Sequence, residues 1–562
     1  MSLMIGLDNF GEAVSSQIGF VDKSLFIKEI LDNKIAHVSV ITRPRRFGKT
    51  FNMSMLHHFL ADKVGQLETK QLFNHLEIAR IDGGAYMEHQ GKYPIIFISF
   101  KNVDATHFDE ACEQLWYLIS TVYREHRYLR GSTKLDDSDK KTYEQILDRK
   151  IDSKSALKVA LQELCRFLHL HHGKKPWLLI DEYDTPIQAG YLNNHYGDII
   201  DLMRGIFGSV LKGNADLHRA VITGILRISK ESLFSGVNNL KIYSLLNAEY
   251  ATCFGFTQSE VDQVFKKANL EHLASNVKAW YNGYSIGDHQ IYNPWSIANC
   301  LYAKGETAPY WVGTSSNDLI KKTMALASPE IKEKFELLLA GESIEAVITE
   351  NMTFSDLTTN GNALWNLLLF SGYLTIVAKQ AVNMRFDCSL KTPNHEVDAL
   401  YRDVICQWFE NPFGIEVYRN FLKNLTEGDV DKFISILRRF LKESTSCFDV
   451  KGHYPEKFYH GFVLGLIVGL SETHIVESNK ESGEGRYDVS ITPKDLTKLG
   501  LIIEFKVAEE NVILEKSAEQ ALAQINARDY ETALRQKGVQ RILKLGLAFR
   551  DKEVSMAFGM SE

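Results

Sequence analysis

The sequence predicts an α/β chain in which two separate sheets flank a mostly helical middle. Three observations carry this. Short, largely apolar runs recur at 38–42, 95–100, 177–180 and 220–225. Such runs suit strands covered on both faces, hence a parallel sheet, with helix-patterned stretches between them. Residues from about 255 to 440 then read as mostly helical, and from about 450 a new α/β pattern begins. These shifts divide the chain into expected domains at 1–250, 251–320, 321–445 and 446–562.

Composition bounds the function classes. At about 150 residues per domain, the 562 residues imply three or four domains. Hydrophobic residues at 45% and charged residues at 24% are ordinary for globular proteins, which excludes dominant disorder, collagen and coiled-coil rods. The longest apolar run of interest, 462–470, has nine residues including two glycines. A spanning helix needs about 20, so no membrane partner is expected. Asp8 and Glu12 sit where a secretory leader would be basic and then apolar. The net charge of −7 argues against a protein that coats nucleic acid nonspecifically, but leaves room for a local basic groove. Seven scattered cysteines without a CxxC pair fit neither a disulfide framework nor a cysteine-built zinc site. Reduced thiols and a cytoplasmic location are expected. The one charge-rich stretch, KLDDSDKK at 134–141, reads as a solvated insertion.

The first chemical signal follows the first strand. Arg43-Pro44-Arg45-Arg46-Phe47-Gly48-Lys49-Thr50 lies between a predicted strand and a predicted helix. Its last three positions match the phosphate loop GxxxxGK[ST], with Arg43 where the first glycine belongs. Gly48 lets the backbone approach phosphate oxygens, Lys49 supplies charge to the β- and γ-phosphates, and Thr50 offers a hydroxyl to Mg²⁺. Pro44 removes one N–H that the loop would otherwise donate. The partner signal is the apolar run 177–180 ending in Asp181 and Glu182. An Asp there holds Mg²⁺ beside a phosphate loop, and the following Glu polarises the attacking water.

These residues resemble the AAA-ATPase-like proteins of bacteria. The resemblance covers about 5–300 and rests on ITRPRRFGKT (41–50), VDKSLFI (21–27), LLIDEYDTPI (178–187) and TGILRISKESLFSGVNNL (223–240). It implies ATP and Mg²⁺ as cofactors and nucleotide contacts from Arg45, Arg46, Phe47, Gly48, Lys49, Thr50 and Asp181. By analogy, Thr223 senses the γ-phosphate and Arg227 neutralises transition-state charge or reaches a neighbouring subunit in a homo-oligomer. Arg43, Arg45 and Arg46 are rivals for the arginine's role. Residues 251–320 would form a helical or winged lid.

Other motifs have plainer readings. The aromatics Trp280, Tyr281, Tyr284, Tyr292, Trp295, Tyr310 and Trp311 fit core packing better than base stacking. His57 and His58 are adjacent, so they face different sides of a helix. His169, His171 and His172 precede Gly173, where a helix should end. None of them is read as a metal ligand.

A second constellation lies near the C-terminus. In 485–491, Tyr487, Val489 and Ile491 share one face of a strand and Asp488 takes the other. In 501–507, Glu504 and Lys506 share a face, while Ile503, Phe505 and Val507 are free to be buried. Asp488 and Glu504 make hard-oxygen ligands for Mg²⁺, and Lys506 orients the attacking water. Leu514, Ala518, Ala521 and Ile525 then trace a buried helical stripe, with Gln524 beside it. Leu543, Leu545, Leu547 and Phe549 form one face of a last strand. An upstream acid, Glu456 or Glu477, would complete the site, and Tyr459 and His460 are expected near the metal.

The order of strand with Asp, strand with ExK, helix with Gln, and strand resembles the PD-(D/E)xK nuclease superfamily. The resemblance covers about 445–555, with its motifs at 478–488 and 502–506. It implies Mg²⁺ or Mn²⁺ at the site and nucleic acid as partner, DNA ahead of RNA. Residues 451–562 carry 15 basic and 17 acidic side chains, so nucleic-acid affinity there should need a divalent ion or another surface. The expected function is therefore an ATPase controlling a metal-dependent nuclease, with Asp488, Glu504, Lys506, Gln524 and Glu182 as catalytic residues. The alternatives are a nucleotide-dependent switch with an inactive nuclease-like module, and an ATPase that remodels a protein partner.

Overall fold

The structure is a computed structural model. It describes residues 3, 5–151, 153–226, 233–234, 237–311, 331, 334–335, 337–338, 341–350, 361–383, 385–401, 414–444, 459, 463, 466–467, 469–470, 473–482, 485–509 and 511–562. The chain divides into two compact units, Met1–Thr323 with Glu345–Glu396, and Met324–Ile344 with Val397–Glu562.

The first unit is built on five strands: β1 (Val38–Thr42), β2 (Ile95–Ser99), β3 (Trp177–Asp181), β4 (Arg219–Gly224) and β5 (Leu240–Tyr243). They pair in parallel in the order β2–β3–β4–β1–β5. Every residue of β1 and β3 is buried, as strands covered on both faces should be. The covering helices include α1 (Lys49–Leu60), α2 (Phe108–Glu125), α3 (Lys154–His172), α4 (Thr185–Leu192) and α5 (Tyr196–Leu211). Local chemistry sets their ends. Ser153 caps α3 by accepting the Ala156 N–H at 3.2 Å, and Gly173 at φ 66° ends it after the histidines.

The charged run at 134–141 is not a solvated insertion throughout, because the helix Asp137–Leu147 begins inside it. Asp136 caps that helix, accepting the Asp139 N–H at 2.8 Å, and the acids of the first turn suit its dipole.

Beyond the sheet, helices Gln258–Lys267, Ala274–Tyr281 and α6 (Pro294–Tyr302) accompany a hairpin of Tyr284–Ile286 and His289–Ile291. Tyr281, Tyr284, Tyr292 and Trp311 are buried, as core aromatics should be. The stretch read as mostly helical also contains a three-stranded sheet. It consists of β6 (Ile344–Ile348), β7 (Thr375–Val382) and β8 (Arg385–Lys391), in the order β6–β8–β7. Six of the eight β7 residues are exposed, so its sequence lacks the apolar alternation that marks a strand.

The second unit contains α7 (Ile415–Glu427), α8 (Val430–Ser444) and five more strands: β9 (His474–Ser482), β10 (Gly485–Pro493), β11 (Gly500–Val507), β12 (Ile542–Arg550) and β13 (Glu553–Ser561). These pair in chain order, antiparallel except for the parallel β11–β12 pair, which the helix α9 (Leu514–Ala527) connects. Leu501, Ile503, Leu543, Leu545, Leu547 and Phe549 pack one face of this sheet into a core with α7 and α8. Ala518 and Ile525 of α9 pack with residues of β11 and β12 in two smaller clusters.

Candidate functional site

In the first unit, the ends of β1, β3 and β4 converge because the strands are adjacent and parallel. Gly48 caps α1 at φ 82°, a backbone conformation that side chains other than glycine's rarely adopt. Arg46, at φ 66°, is also left-handed. Thr50, one residue into α1, donates its hydroxyl to Asp181 Oδ2 at 2.7 Å, and Thr223 donates to Asp181 Oδ1 at 2.6 Å. Burial, and then Glu182, raises the Asp181 pKa above the ordinary carboxylate value. The Lys49 ammonium is buried. It donates to the carbonyls of Arg43 at 3.3 Å and Pro44 at 3.2 Å, and lies 3.4 Å from Glu182 Oε1. Glu182 itself is left-handed, at φ 53°.

Lys49, Thr50, Glu182 and Arg45 line one cavity of about 610 Å³, which also reaches Phe256 and Trp295. Arg45 donates to Gln188 Oε1 at 3.2 Å. Gln188 in turn donates to the buried Asp184 at 3.0 Å, and Asp184 Oδ2 accepts the N–H groups of Ile225 and Leu226 at 3.0 and 2.9 Å. Burial, then Glu182, pushes the Asp184 carboxyl up to about 6. Gly224 permits this junction, since a Cβ there would lie 2.6 Å from the Tyr183 ring. The Arg46 guanidinium sits 4.1 Å from the centroid of the Trp295 ring. Trp295 thus differs from the core aromatics with which it was grouped.

Three expectations need correction or limits. Arg43, a rival for the transition-state arginine, is fully buried and turned into the fold. Its guanidinium donates to the carbonyls of Thr42, Tyr243, Ser244, Glu249 and Tyr250 at 2.8–3.3 Å. The Phe47 side chain is buried, edge-on to Tyr284 with centroids 5.1 Å apart, while the residue still lines the cavity beside Gly48. Arg227 lies outside the described residues.

In the second unit, the β10–β11 register that pairs Val489 with Ile503 puts Asp488 opposite Glu504. The Asp488 N–H lies 3.4 Å from Glu504 Oε2, and Asp488 Oδ2 accepts the Phe505 N–H at 2.7 Å. Gln524 on α9 donates its amide to Glu504 Oε1. The helix can lie this close because Gly546 of β12, the register partner of Glu504, has no side chain. A Cβ there would come within 2.3 Å of the Ala518 carbonyl oxygen. Burial, and then Asp488, pushes the Glu504 carboxyl up to about 8, with Lys506 and Arg528 acting against that rise. Arg528 was missed in the sequence, although it lies four residues after Gln524 and so on the same side of the helix. Asp184 and Gln188 were missed as well, because nothing in a single sequence marks their reach to the end of β4.

The remaining C-terminal expectations divide. Glu477 forms an ion pair with Lys537 at 2.7 Å. Glu456 and His460 lie outside the described residues. Tyr459, expected near the metal, is drawn into the core, stacked on Phe549 at 4.4 Å with its hydroxyl donating to the Asp551 carbonyl at 2.8 Å. Among the described residues, no three His, Cys, Asp or Glu side chains gather as a metal-binding group. The donors brought together are the carboxylates of Asp488 and Glu504, whose hard oxygens suit Mg²⁺ or Mn²⁺. The described cysteines Cys112, Cys165, Cys253, Cys300 and Cys388 are free. No helix among the described residues is long and apolar enough to cross a membrane.

Comparison with known proteins agrees with this division. Residues 4–234 match the family described as predicted AAA-ATPase, and residues 454–558 match the PD-(D/E)XK nuclease superfamily. A protein of Azotobacter chroococcum mcd 1, described as "Uncharacterized protein in vnfD 5'region", is 25% identical over 584 residues, covering 99% of this chain and 98% of its own length. The chain therefore carries an AAA-ATPase-like domain at 4–234 and a PD-(D/E)XK nuclease superfamily domain at 454–558.

Proposed function

We propose that this protein is an ATP-hydrolysing, metal-dependent nuclease in which nucleotide occupancy controls phosphodiester cleavage. The observation that carries the nuclease half is the opposition of Asp488 and Glu504 on adjacent strands, with the Gln524 amide fixed on Glu504. Asp488 and Glu504 would hold a divalent ion, Mg²⁺ or Mn²⁺, which when bound supplies Lewis-acid stabilisation of the phosphoryl oxygens. Lys506, on the same strand face as Glu504, orients the attacking water and offsets phosphate charge. Gln524 holds the Glu504 carboxylate in one orientation. DNA is the preferred substrate reading over RNA.

In the ATPase half, Thr50 and Asp181 would hold Mg²⁺, and Thr223 steadies Asp181 from the end of β4. Lys49 binds the β- and γ-phosphates and Glu182 serves as general base. Arg45 and Arg46, which both line the cavity, are the described candidates for transition-state charge, since Arg43 is engaged by carbonyls. Residence of both sets in one chain supports coupling. The test is cleavage of supercoiled, linear, single-stranded DNA and RNA with Mg²⁺ or Mn²⁺, with and without ATP. Cleavage that responds to ATP supports the reading, and cleavage indifferent to ATP removes the coupling.

One observation favours a second reading. The donor set at Asp488 and Glu504 stops at two carboxylates among the described residues. A nucleotide-dependent switch whose C-terminal domain binds without cutting would fit that set. Nucleotide binding with no cleavage under either metal would select it.

A further inference from the structure

The far ends of the parallel strands carry a different surface. Strands β2, β3, β4 and β1 are neighbours, and the residues leading into them are Lys92 and Tyr93, Lys174 and Lys175, His218, and His37. Backbone hydrogen bonds lock these approaches side by side. Trp177 N–H donates to the Pro94 carbonyl at 3.0 Å, His218 N–H to Pro176 at 2.8 Å, and Ala220 N–H to His37 at 3.0 Å. Lys92, Lys174, Lys175 and His218 are exposed.

Ring stacking accompanies the charge. Tyr93 stacks on His218 with centroids 5.4 Å apart and on His89 at 6.1 Å, and His89 Nδ1 lies 2.8 Å from the Tyr93 hydroxyl. Arg219, the first residue of β4, lies over the Trp177 ring at 5.6 Å. Burial first, and then Arg219, holds the His218 pKa below the ordinary histidine value, and burial does the same for His37 against a backbone hydrogen bond at Leu217. Two acids are close in the chain. Asp216 is taken by His169 at 2.7 Å, and Glu88 is exposed beside His89.

We infer that this edge of the ATPase sheet, opposite the nucleotide cavity, is a binding surface for single-stranded nucleic acid. Phosphates lie along Lys92, Lys174 and Lys175, and a base extends the His89–Tyr93–His218 stack. Cations on adjacent strand approaches beside a ring stack that ends in exposed His218 are what a flexible polyanion with aromatic bases requires, whereas an acidic polypeptide would use the charge alone. The acidic balance of residues 451–562 makes a separate holding surface useful, but the inference does not depend on cleavage.

The test is fluorescence anisotropy of a labelled 20-nucleotide single strand with the full-length protein in EDTA, where no metal-dependent cutting occurs. The Lys174→Glu/Lys175→Glu double variant should weaken binding about tenfold and reduce the slope of log affinity against log salt by about 1.4, the share of two phosphate contacts. His218→Ala should weaken the single strand about fivefold while changing a duplex of equal length less than twofold. Lys266→Glu, a charge reversal at an exposed helix position outside this surface, should leave this binding intact, and the absence of metal separates the result from the nuclease reading. Unchanged affinity in the double variant would overturn the inference. So would displacement of the oligonucleotide by polyglutamate as readily as by unlabelled strand.

Discussion

Asp488 and Glu504 face each other across antiparallel strands, the backbone N–H of the first 3.4 Å from a carboxylate oxygen of the second. Neighbouring apolar positions set this opposition. Val489, Ile491, Ile503 and Phe505 are buried in one core cluster, so the alternate positions point away from it together. A slip of one residue in register would turn the acids into that apolar cluster, so the core specifies the site.

Arg43 illustrates how a departure from the phosphate-loop pattern is accommodated. Its side chain leaves the loop and binds the last carbonyls of β1 and β5 and those of Ser244 and Tyr250 beyond them. Arg43→Ala should lower stability by roughly 3 kcal/mol or more, since several buried carbonyls lose their donor at once. Arg43→Gly, which restores the loop glycine, should be equally destabilising. Thermal unfolding checks both, and a melting temperature unchanged by either would mean the carbonyls find other donors.

The nucleotide site separates binding from turnover. Lys49→Ala should abolish binding of a fluorescent ATP analogue at concentrations that saturate the wild type. Glu182→Gln should keep that binding while slowing hydrolysis about 100-fold or more, the scale of a lost general base. Equal loss of binding in both variants would assign Glu182 to holding nucleotide instead.

A pH dependence follows from Glu396. This buried carboxyl accepts from the Ser296 hydroxyl at 2.7 Å and the Trp311 N–H at 2.6 Å, and burial pushes it from 4.5 up to about 7. The folded state holds its proton more tightly than the unfolded chain does. Its contribution is therefore complete below about pH 4.5 and is lost as pH rises through about 7, up to about 3 kcal/mol. Glu125 and Asp184 are raised to about 7 and about 6 and act in the same direction. Melting temperatures of Glu396→Gln between pH 5 and 8 should fall less steeply than those of the wild type. Parallel curves would contradict the assignment.

Much of this was legible in the sequence because the relevant signals are local. The largely apolar runs of β1 and β3, the stripe of Leu514, Ala518, Ala521 and Ile525, and the Glu504–Lys506 alternation are each local patterns. The sheet of β6, β7 and β8 was not legible, because exposed β7 lacks that periodicity. Arg43 and Tyr459 were misjudged for another reason. A polar group takes its role from carbonyls distant in sequence, here Tyr250 and Asp551, and no spacing rule reports those. Asp184 and Gln188 escaped notice for the same cause.

The most direct test of the central claim is nicking of supercoiled plasmid in Mn²⁺ by wild type, Asp488→Asn and Lys506→Ala, with folding matched by thermal melts. The wild type should cut, and both variants should be slower by about 1,000-fold, the loss expected when a cation ligand or the charge beside it is removed. Cutting by either variant at the wild-type rate would contradict the account.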